Sequence, residues 1–147
     1  MFDALNCRHP VIVNAVAAAL LLTACAHRPE PSLYDRLGKM ERIQLIANET
    51  VERTSKDPRT SRNFDGINLV RTKASVASHL CAVTGGPCKY EGDNMKVAHT
   101  GMQITEQEFN VMDSYLAQSL DRHGVDARTK AELQTLLGRM KDDIVNH

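Results

Sequence analysis

One histidine of this sequence has a setting that suits a metal ligand better than a packing residue. His99 ends a short segment, 95–99, that lies between Gly85-Gly86-Pro87 and Gly101. Neutral imidazole is a good ligand for iron, which gives this residue a possible chemical role. A single histidine on an apolar helix face is more often an ordinary core residue, so spacing alone leaves both interpretations open.

Local signals around His99 predict a short helix held between two joints. Gly85-Gly86-Pro87 cannot continue a helix and therefore ends the helix before it. Tyr90 and Gly92 then indicate a second loop, since such residues are typical of turns. Farther along, Thr105-x-x-Glu108 is typical of a capping box, and it predicts a long helix that opens at Phe109.

The spacing of apolar residues predicts that the rest of the chain is all-α. Apolar side chains recur at helical intervals, and no alternating strand pattern of useful length interrupts them. At 147 residues the chain is long enough for one domain with a single core. The predicted helices span 32–38, 39–55, 68–83, 109–123 and 126–144.

The order of these motifs resembles that of the group I truncated haemoglobins. In that family a Gly-Gly-Pro ends the distal helix, a Tyr-x-Gly loop follows, and a Met-x-x-x-His supplies the proximal iron ligand. The corresponding residues here are Gly85-Gly86-Pro87, Tyr90-Glu91-Gly92 and Met95 to His99, within a similarity that runs from Ser32 to about Ile144. The resemblance implies a truncated globin fold, a 2-over-2 helical sandwich around one haem b, with His99 as the iron ligand.

The resemblance also implies which side chains contact the haem. Phe64 would wedge the haem in place, while Tyr90 and Phe109 would line its edge and proximal wall. Lys73 or Lys96 would meet the propionates. Each of these residues could instead be an ordinary core or solvated residue. The expected cofactor contacts are Phe64, Thr72, Lys73, Val76, Leu80, Tyr90, Met95, His99 and Phe109.

The distal pocket departs from the pattern of the family. Val51 falls where many relatives carry a tyrosine, and Thr72 and Val76 fall where glutamine or leucine is frequent. Only Thr50 and Thr72 offer hydroxyls nearby, so the resemblance implies a mainly apolar pocket. His79 could act as a sixth iron ligand, although helical spacing places it to one side of the pocket centre.

The first residues are typical of a secretory leader. The apolar run 11–24 follows Arg8 and His9 and is shorter than the ~20 residues that span a bilayer. Leu22-Thr23-Ala24-Cys25 resembles the bacterial lipobox, in which the cysteine carries the lipid. We therefore expect a signal peptide at 1–24, lipidation of Cys25, a tether at 25–31 and a globin domain at 32–147. A plain signal peptide or a buried helix is the alternative.

The remaining cysteines are expected to pair. Cys7 would leave with the leader, while Cys81 and Cys88 flank the Gly-Gly-Pro turn. In an exported protein a disulfide is the natural interpretation of such a pair, and two unpaired thiols are the alternative. The spacing fits neither a zinc site nor a Cys-x-x-Cys redox motif.

The composition argues against two classes of function, nucleic-acid binding and catalysis. Lysine plus arginine and aspartate plus glutamate number 18 each, so nucleic acid is not an expected partner. Aromatic residues make up only 4% of the chain, which is few for a core formed by side chains alone. This composition favours a bulky apolar cofactor that would fill part of the core. No catalytic constellation is present, so an enzyme is not expected, with nitric oxide dioxygenation kept as an open alternative.

The sequence therefore predicts a haem-binding group I truncated-haemoglobin-like lipoprotein at the bacterial cell envelope, facing the periplasm or in the outer membrane. It would reversibly bind oxygen, nitric oxide or carbon monoxide, in gas transport, sensing or a redox role, with a reductase as a possible partner. The rival interpretation is a globin-derived envelope module that no longer binds haem. The missing distal hydroxyls and the polar Asn63 beside Phe64 motivate that rival.

Overall fold

A computed structural model of the protein describes residues 30–146, which are helical throughout with short connections. The predicted leader and Cys25 lie outside the described residues. The all-α prediction is confirmed in the part of the chain that the structure covers. The α-helices are α1 Leu33–Arg36, α2 Lys39–Lys56, α3 Leu69–Val83, α4 Met95–His99, α5 Glu106–Arg122 and α6 Ala127–Gly138, with 3-10 turns at Ser61–Phe64 and Lys141–Asp143.

Side-chain caps fix where most of these helices begin. Each capping oxygen accepts a hydrogen bond from a backbone N–H of the first turn, which would otherwise lack a partner. Ser32 and Thr105 each form a full capping box, the latter with Glu108. The capping residues are Ser32 for α1, Asn68 for α3, Asn94 for α4, Thr105 for α5 and Asp126 for α6.

The core forms where α2 packs against both α3 and α5, and where α6 packs against α1 and α5. The face of α2 that carries Ile43, Ile46 and Ala47 is almost completely shielded from solvent. Leu80 of α3 and Leu120 of α5 join the same cluster. The pair α2 and α3 and the pair α5 and α6 therefore share one core. This is the arrangement of a 2-over-2 sandwich.

The C-terminal segment differs from the sequence prediction. A helix was expected to run to about residue 144, but α6 ends at Gly138, and a 3-10 turn follows at Lys141–Asp143. Glycine is a poor helix former, so the pattern of apolar residues is not enough to continue the helix. Val145 instead forms a parallel bridge with Ile104, and the N–H of Asn146 donates to Ile104 O at 2.8 Å. The chain end thus secures the loop before α5.

Across residues 30–146, none of the helices combines the length and the apolar character that crossing a bilayer requires.

A buried carboxylate joins the turn before α3 to the start of α5. Glu108 is 7% exposed, and it accepts hydrogen bonds from Arg62 Nε at 2.7 Å and from Arg62 Nη2 at 2.6 Å. Asn63 Nδ2 and the N–H of Thr105 also donate to it, at 3.1 and 2.8 Å. The Arg62 hydrogen bonds are the main cause that lowers the pKa of Glu108 to about 2.

Replacing this carboxylate should destabilise the fold in a pH-dependent way. Because hydrogen bonds to charged groups contribute about 1.5–3 kcal/mol, Glu108→Gln should lower the free energy of unfolding by about 2 kcal/mol at pH 7. A lowered pKa means that the stabilisation is present above the ordinary glutamate pKa and is lost as pH falls towards 2. Urea unfolding of both proteins between pH 7 and pH 3 measures the difference.

Glu106→Gln is the matched control. Glu106 lies two residues earlier in α5, is exposed, and pairs with Lys141 on the surface. Surface ion pairs contribute about 0–1 kcal/mol, so this change should have little effect. Equal losses for the two variants at pH 7, or a Glu108→Gln loss that does not shrink at low pH, would contradict the assignment.

Candidate functional site

Helix α4 carries the candidate ligand His99 and lies apart from the core. None of its residues is buried, and it packs chiefly against the 3-10 turn Lys141–Asp143. Asn94 caps it by accepting from the N–H of Val97 at 3.0 Å. Gly101, with a φ of +83°, turns the chain away just after it. A five-residue helix is therefore fixed by its ends and not by its own packing.

The orientation of His99 leaves one ring nitrogen available. Its Nδ1 lies 2.7 Å from Met95 O. A carbonyl oxygen can only accept, so Nδ1 carries the proton and donates. Nε2 then holds the lone pair that can bind a metal. A backbone hydrogen bond of this kind also fixes the direction of the ring, as is usual for histidines that bind metals.

Helix α3 presents a second imidazole, that of His79. Both of its ring nitrogens are buried and have no hydrogen-bond partner among residues 30–146. The ring meets Tyr90 edge-on, with centroids 4.9 Å apart and an interplanar angle of 69°. Burial is the main cause that lowers the pKa of His79, with a smaller electrostatic contribution from His99.

The residues expected to contact a haem share one property. Of the nine, only Leu80 is fully buried, and the other eight are half-buried. Phenylalanine, tyrosine and methionine are large side chains that normally belong either in a closed core or at an interface. Half-burial leaves part of each of these side chains accessible to a ligand. The half-buried residues are Phe64, Thr72, Lys73, Val76, Tyr90, Met95, His99 and Phe109.

The hydroxyls nearest to the expected distal pocket are already bonded within their own helices. Thr50 Oγ1 donates to Ile46 O at 2.8 Å, and Thr72 Oγ1 donates to Asn68 O at 3.1 Å. Val51, beside Thr50 on α2, is completely buried. Neither threonine therefore presents a free donor. Sequence reasoning passed over a further hydroxyl, that of Ser75, which is half-buried on α3 one turn before His79.

The lysines expected at the propionates are placed differently from each other. Lys73 Nζ forms an ion pair with Glu52 of α2, so the structure shows its charge already compensated. Lys96 is exposed on α4. Lys141, which sequence reasoning did not single out, lies over the ring of Phe109 with its Nζ 5.8 Å from the centroid. The propionate role of Lys73 and Lys96 stays a prediction.

A disulfide bond holds the end of α3 against the segment that carries Tyr90. Cys81 and Cys88 are bonded, with their Cα atoms 5.8 Å apart. The bond lies two residues after His79 and two residues before Tyr90. Gly86 is required inside this loop, because a Cβ there would lie 2.6 Å from Cys81 Sγ. At Gly92 a Cβ would lie 2.3 Å from the Tyr90 hydroxyl, so the absence of a side chain leaves room for that ring.

Neither histidine lines the two open surface depressions, of about 770 and 640 Å³. Arg53, Arg59 and Tyr115 contribute to the first, and Leu33 and Leu136 to the second. In the first depression, Arg59 and Tyr115 both bond to Asp57, and the guanidinium of Arg53 lies over the ring of Tyr115. We take the candidate site to be the residues around His79 and His99, because His99 has a ring nitrogen available for a metal and both ring nitrogens of His79 are buried without a partner.

Comparison with known proteins agrees with this arrangement. The sequence pattern of the bacterial-like globin family matches residues 32–146, nearly all of the chain after the predicted leader. The chain is a bacterial-like globin. A group 1 truncated hemoglobin, GlbN, of Mycolicibacterium paratuberculosis is 31% identical to this globin over 118 residues, which cover 80% of this chain and 87% of that protein.

Solved structures support the same fold for this globin. Truncated hemoglobin from Tetrahymena pyriformis in its Fe(III) form superposes with a TM-score of 0.76 at 22% identity, over 80% of this chain and 100% of that one. The 2/2 hemoglobin of Synechococcus sp. PCC 7002, determined with covalently attached heme, gives a TM-score of 0.73 at 22% identity, again over 80% and 100%. The predicted 2-over-2 globin fold is therefore confirmed.

Proposed function

We propose that this globin binds one haem b through His99 and reversibly binds a diatomic gas at the iron. The observation that carries the proposal is the hydrogen bond from His99 Nδ1 to Met95 O, which leaves Nε2 in place as a ligand. When bound, haem supplies an iron with an open coordination position at which oxygen, carbon monoxide or nitric oxide can bind. The relatives are named hemoglobins, which supports this function.

The residues present fit such a cofactor. Phe64, Met95 and Phe109 are half-buried apolar side chains that a large flat apolar group would cover. The two ring nitrogens of His79 are buried without a hydrogen-bond partner among the described residues. Asn63, whose polarity motivated the rival module without haem, donates to Glu108 through its amide and so has a structural role. In a module without haem, the half-buried side chains of Phe64, Met95 and Phe109 would have no apolar group to cover them.

The distal residues favour simple gas binding over oxygen chemistry. Val51 offers no donor, and the hydroxyls of Thr50 and Thr72 are bonded to carbonyl oxygens of their own helices. Oxygen depends more than carbon monoxide on a hydrogen bond from the pocket. We therefore infer weak retention of oxygen and propose gas transport, sensing or a redox role, with a reductase as partner, in place of nitric oxide dioxygenation.

We propose that this globin acts at the bacterial cell envelope, anchored by lipid on Cys25. The Leu22-Thr23-Ala24-Cys25 sequence supports the anchor. The Cys81–Cys88 disulfide bond supports an oxidising compartment, because such bonds persist outside the cytosol. A tether of a few residues would then hold the globin domain near the membrane surface.

Removing the ligand should abolish haem retention. His99→Gly should lose the Soret band after gel filtration because the proposed bond from the protein to the iron is removed, and added imidazole should restore part of it by filling the space. His123→Gly is the matched control, since His123 is half-buried but bonds Glu49 at 3.1 Å on another part of the molecule. A parent protein without a Soret band would favour the rival module, and equal haem content in parent and His99→Gly would exclude His99 as the ligand.

Supplying the missing donor should slow oxygen release. A hydrogen bond to a charged group contributes about 1.5–3 kcal/mol, so Val51→Tyr should slow oxygen dissociation about ten- to a hundredfold. Carbon monoxide dissociation should change less. Stopped-flow measurements on parent and variant give both rates. Slow release from the parent that Thr72→Val or Ser75→Ala abolishes would contradict the apolar pocket.

Blocking the lipid site should release the protein. Cys25→Ser should move it from the membrane to the soluble fraction or halt its processing, because the thiol is the only position at which the lipobox accepts lipid. Fractionation and intact-mass measurement test this, with Cys7→Ser as the control that should behave like the parent. An exported product with an unmodified Cys25 would refute the anchor.

A further inference from the structure

Helix α4 has little packing of its own to hold His99 in place. None of its five residues is buried, and its chief neighbour is the 3-10 turn Lys141–Asp143. The cap at Asn94 and the turn at Gly101 fix where the helix begins and ends, but both act within the segment itself. A helix this short is not stable alone. The position of α4 in the domain must therefore come from other parts of the chain.

One such part is the segment 139–146, which we call the C-terminal strap. It follows α6, forms the 3-10 turn that packs against α4, and continues to Ile104. Val145 forms a parallel bridge with Ile104, and the N–H of Asn146 donates to Ile104 O at 2.8 Å. Ile104 is buried and lies in the chain that leaves His99. The strap therefore contacts α4 and also holds the chain just after it.

The first part of the strap is attached to helix α5. Lys141 forms an ion pair with Glu106 in the first turn of α5, and its Nζ lies 5.8 Å from the centroid of the Phe109 ring. The strap is thus joined to α5 near its beginning and to Ile104 near its end. Because α4 packs against the turn between these two attachments, a displacement of the strap would displace α4 as well.

The backbone between α4 and α5 shows that its path is imposed from outside. Gln103 has a φ of 48°, a conformation that side chains other than glycine and asparagine rarely adopt. Such a residue persists only where its surroundings hold it. Gln103 O accepts from Arg62 Nη2 at 3.0 Å on one side, and the strap holds Ile104 on the other. The strap is therefore one of two supports of this connection.

We propose that the C-terminal strap is a positioning element for His99, so that retention of the haem depends on it. The inference rests on the proposed haem function and adds to it the residues that act on the iron ligand from a distance. Helix α3 needs no such support, since Ala77 and Leu80 are buried against α2. Loss of the strap should therefore affect the side of the site that carries His99 and leave the α3 side unchanged.

Asn146→Pro is the deciding variant. Proline has no N–H to donate to Ile104 O, and its φ near −65° cannot match the φ of 64° at this position. Asn146→Gly is the matched control, because glycine keeps the N–H and adopts a positive φ freely. The side chain of Asn146 is exposed, so its removal in the control should itself have little effect.

Amide hydrogen exchange of the haem-loaded protein measures how firmly α4 is held. In Asn146→Pro the amides of Met95–His99 should exchange about two- to tenfold faster than in the parent, which is the change expected from the loss of one backbone hydrogen bond. The amides of Leu69–Val83 should exchange as in the parent, because core packing holds that helix. Asn146→Gly should match the parent in both segments.

Transfer of haem to an excess of apomyoglobin tests the effect on the ligand. Asn146→Pro should release haem about two- to tenfold faster than the parent, and Asn146→Gly at the rate of the parent. In His99→Gly with saturating imidazole, the iron is no longer bonded to α4, so adding Asn146→Pro should not change the rate. A general loss of stability would instead speed release in both backgrounds, which separates positioning of His99 from a merely structural role.

The outcomes distinguish this inference from the function on which it rests. A parent that binds no haem overturns both. A haem-loaded parent whose haem release or α4 exchange is unchanged by Asn146→Pro overturns only the role of the strap. Equal effects of Asn146→Pro and Asn146→Gly, or equally faster release when Asn146→Pro is added to His99→Gly with imidazole, would likewise overturn the role of the strap and leave the haem function standing.

Discussion

The carboxylate of Glu108 connects two segments of the chain, the 3-10 turn that ends at Phe64 and the loop that follows His99. Through Arg62 it fixes the 3-10 turn that ends at Phe64, and through Thr105 it fixes the start of α5, six residues after His99. Arg62 also donates to Met102 O and Gln103 O, at 3.2 and 3.0 Å, so the chain that leaves His99 is secured as well. Helix α4 can therefore lack buried residues and still have a defined position, because the chain beyond it is anchored.

The two walls of the site have different mechanical character. Helix α3 belongs to the core, where Ala77 and Leu80 are buried against α2, and its position follows from close packing. Helix α4 depends on a cap, on a glycine with positive φ and on the chain end. Segments with few buried contacts open at low cost in free energy. The wall with His79 is thus the fixed one, and the wall with His99 is the one that can adapt to a large ligand.

Features that depend on neighbours in the sequence were predictable. The cap at Thr105 was expected from residue type and spacing alone, because a cap acts within one helical turn. The range of α4, Met95–His99, followed from the glycine-containing joints on either side. The 2-over-2 fold came from the order of motifs, and the structure and the comparisons agree with it.

Features that depend on how distant segments meet were not predictable. The ion pair of Lys73 with Glu52 and the contact of Arg62 with Glu108 join residues separated by 21 and 46 positions. Their formation depends on how the helices cross, which apolar spacing does not specify. The bridge between Val145 and Ile104 could not be predicted for the same reason, although Gly138, where the last helix ends, was a local signal that the apolar spacing outweighed. The placement of Val51 and Thr72 around a haem still rests on the resemblance.

The Cys81–Cys88 bond has a consequence for the unfolded chain. Counted through the Cys81–Cys88 bond, only a few residues separate His79 from Tyr90. This separation is the same whether or not the helices around it are formed. A covalent cross-link raises the local concentration of the groups that it joins and reduces the conformational entropy lost when they meet. The proximity of these two side chains of the candidate site therefore depends in part on the covalent connectivity of the chain. In the oxidised chain, His79 and Tyr90 therefore stay close to each other before the chain folds and whenever it partly unfolds.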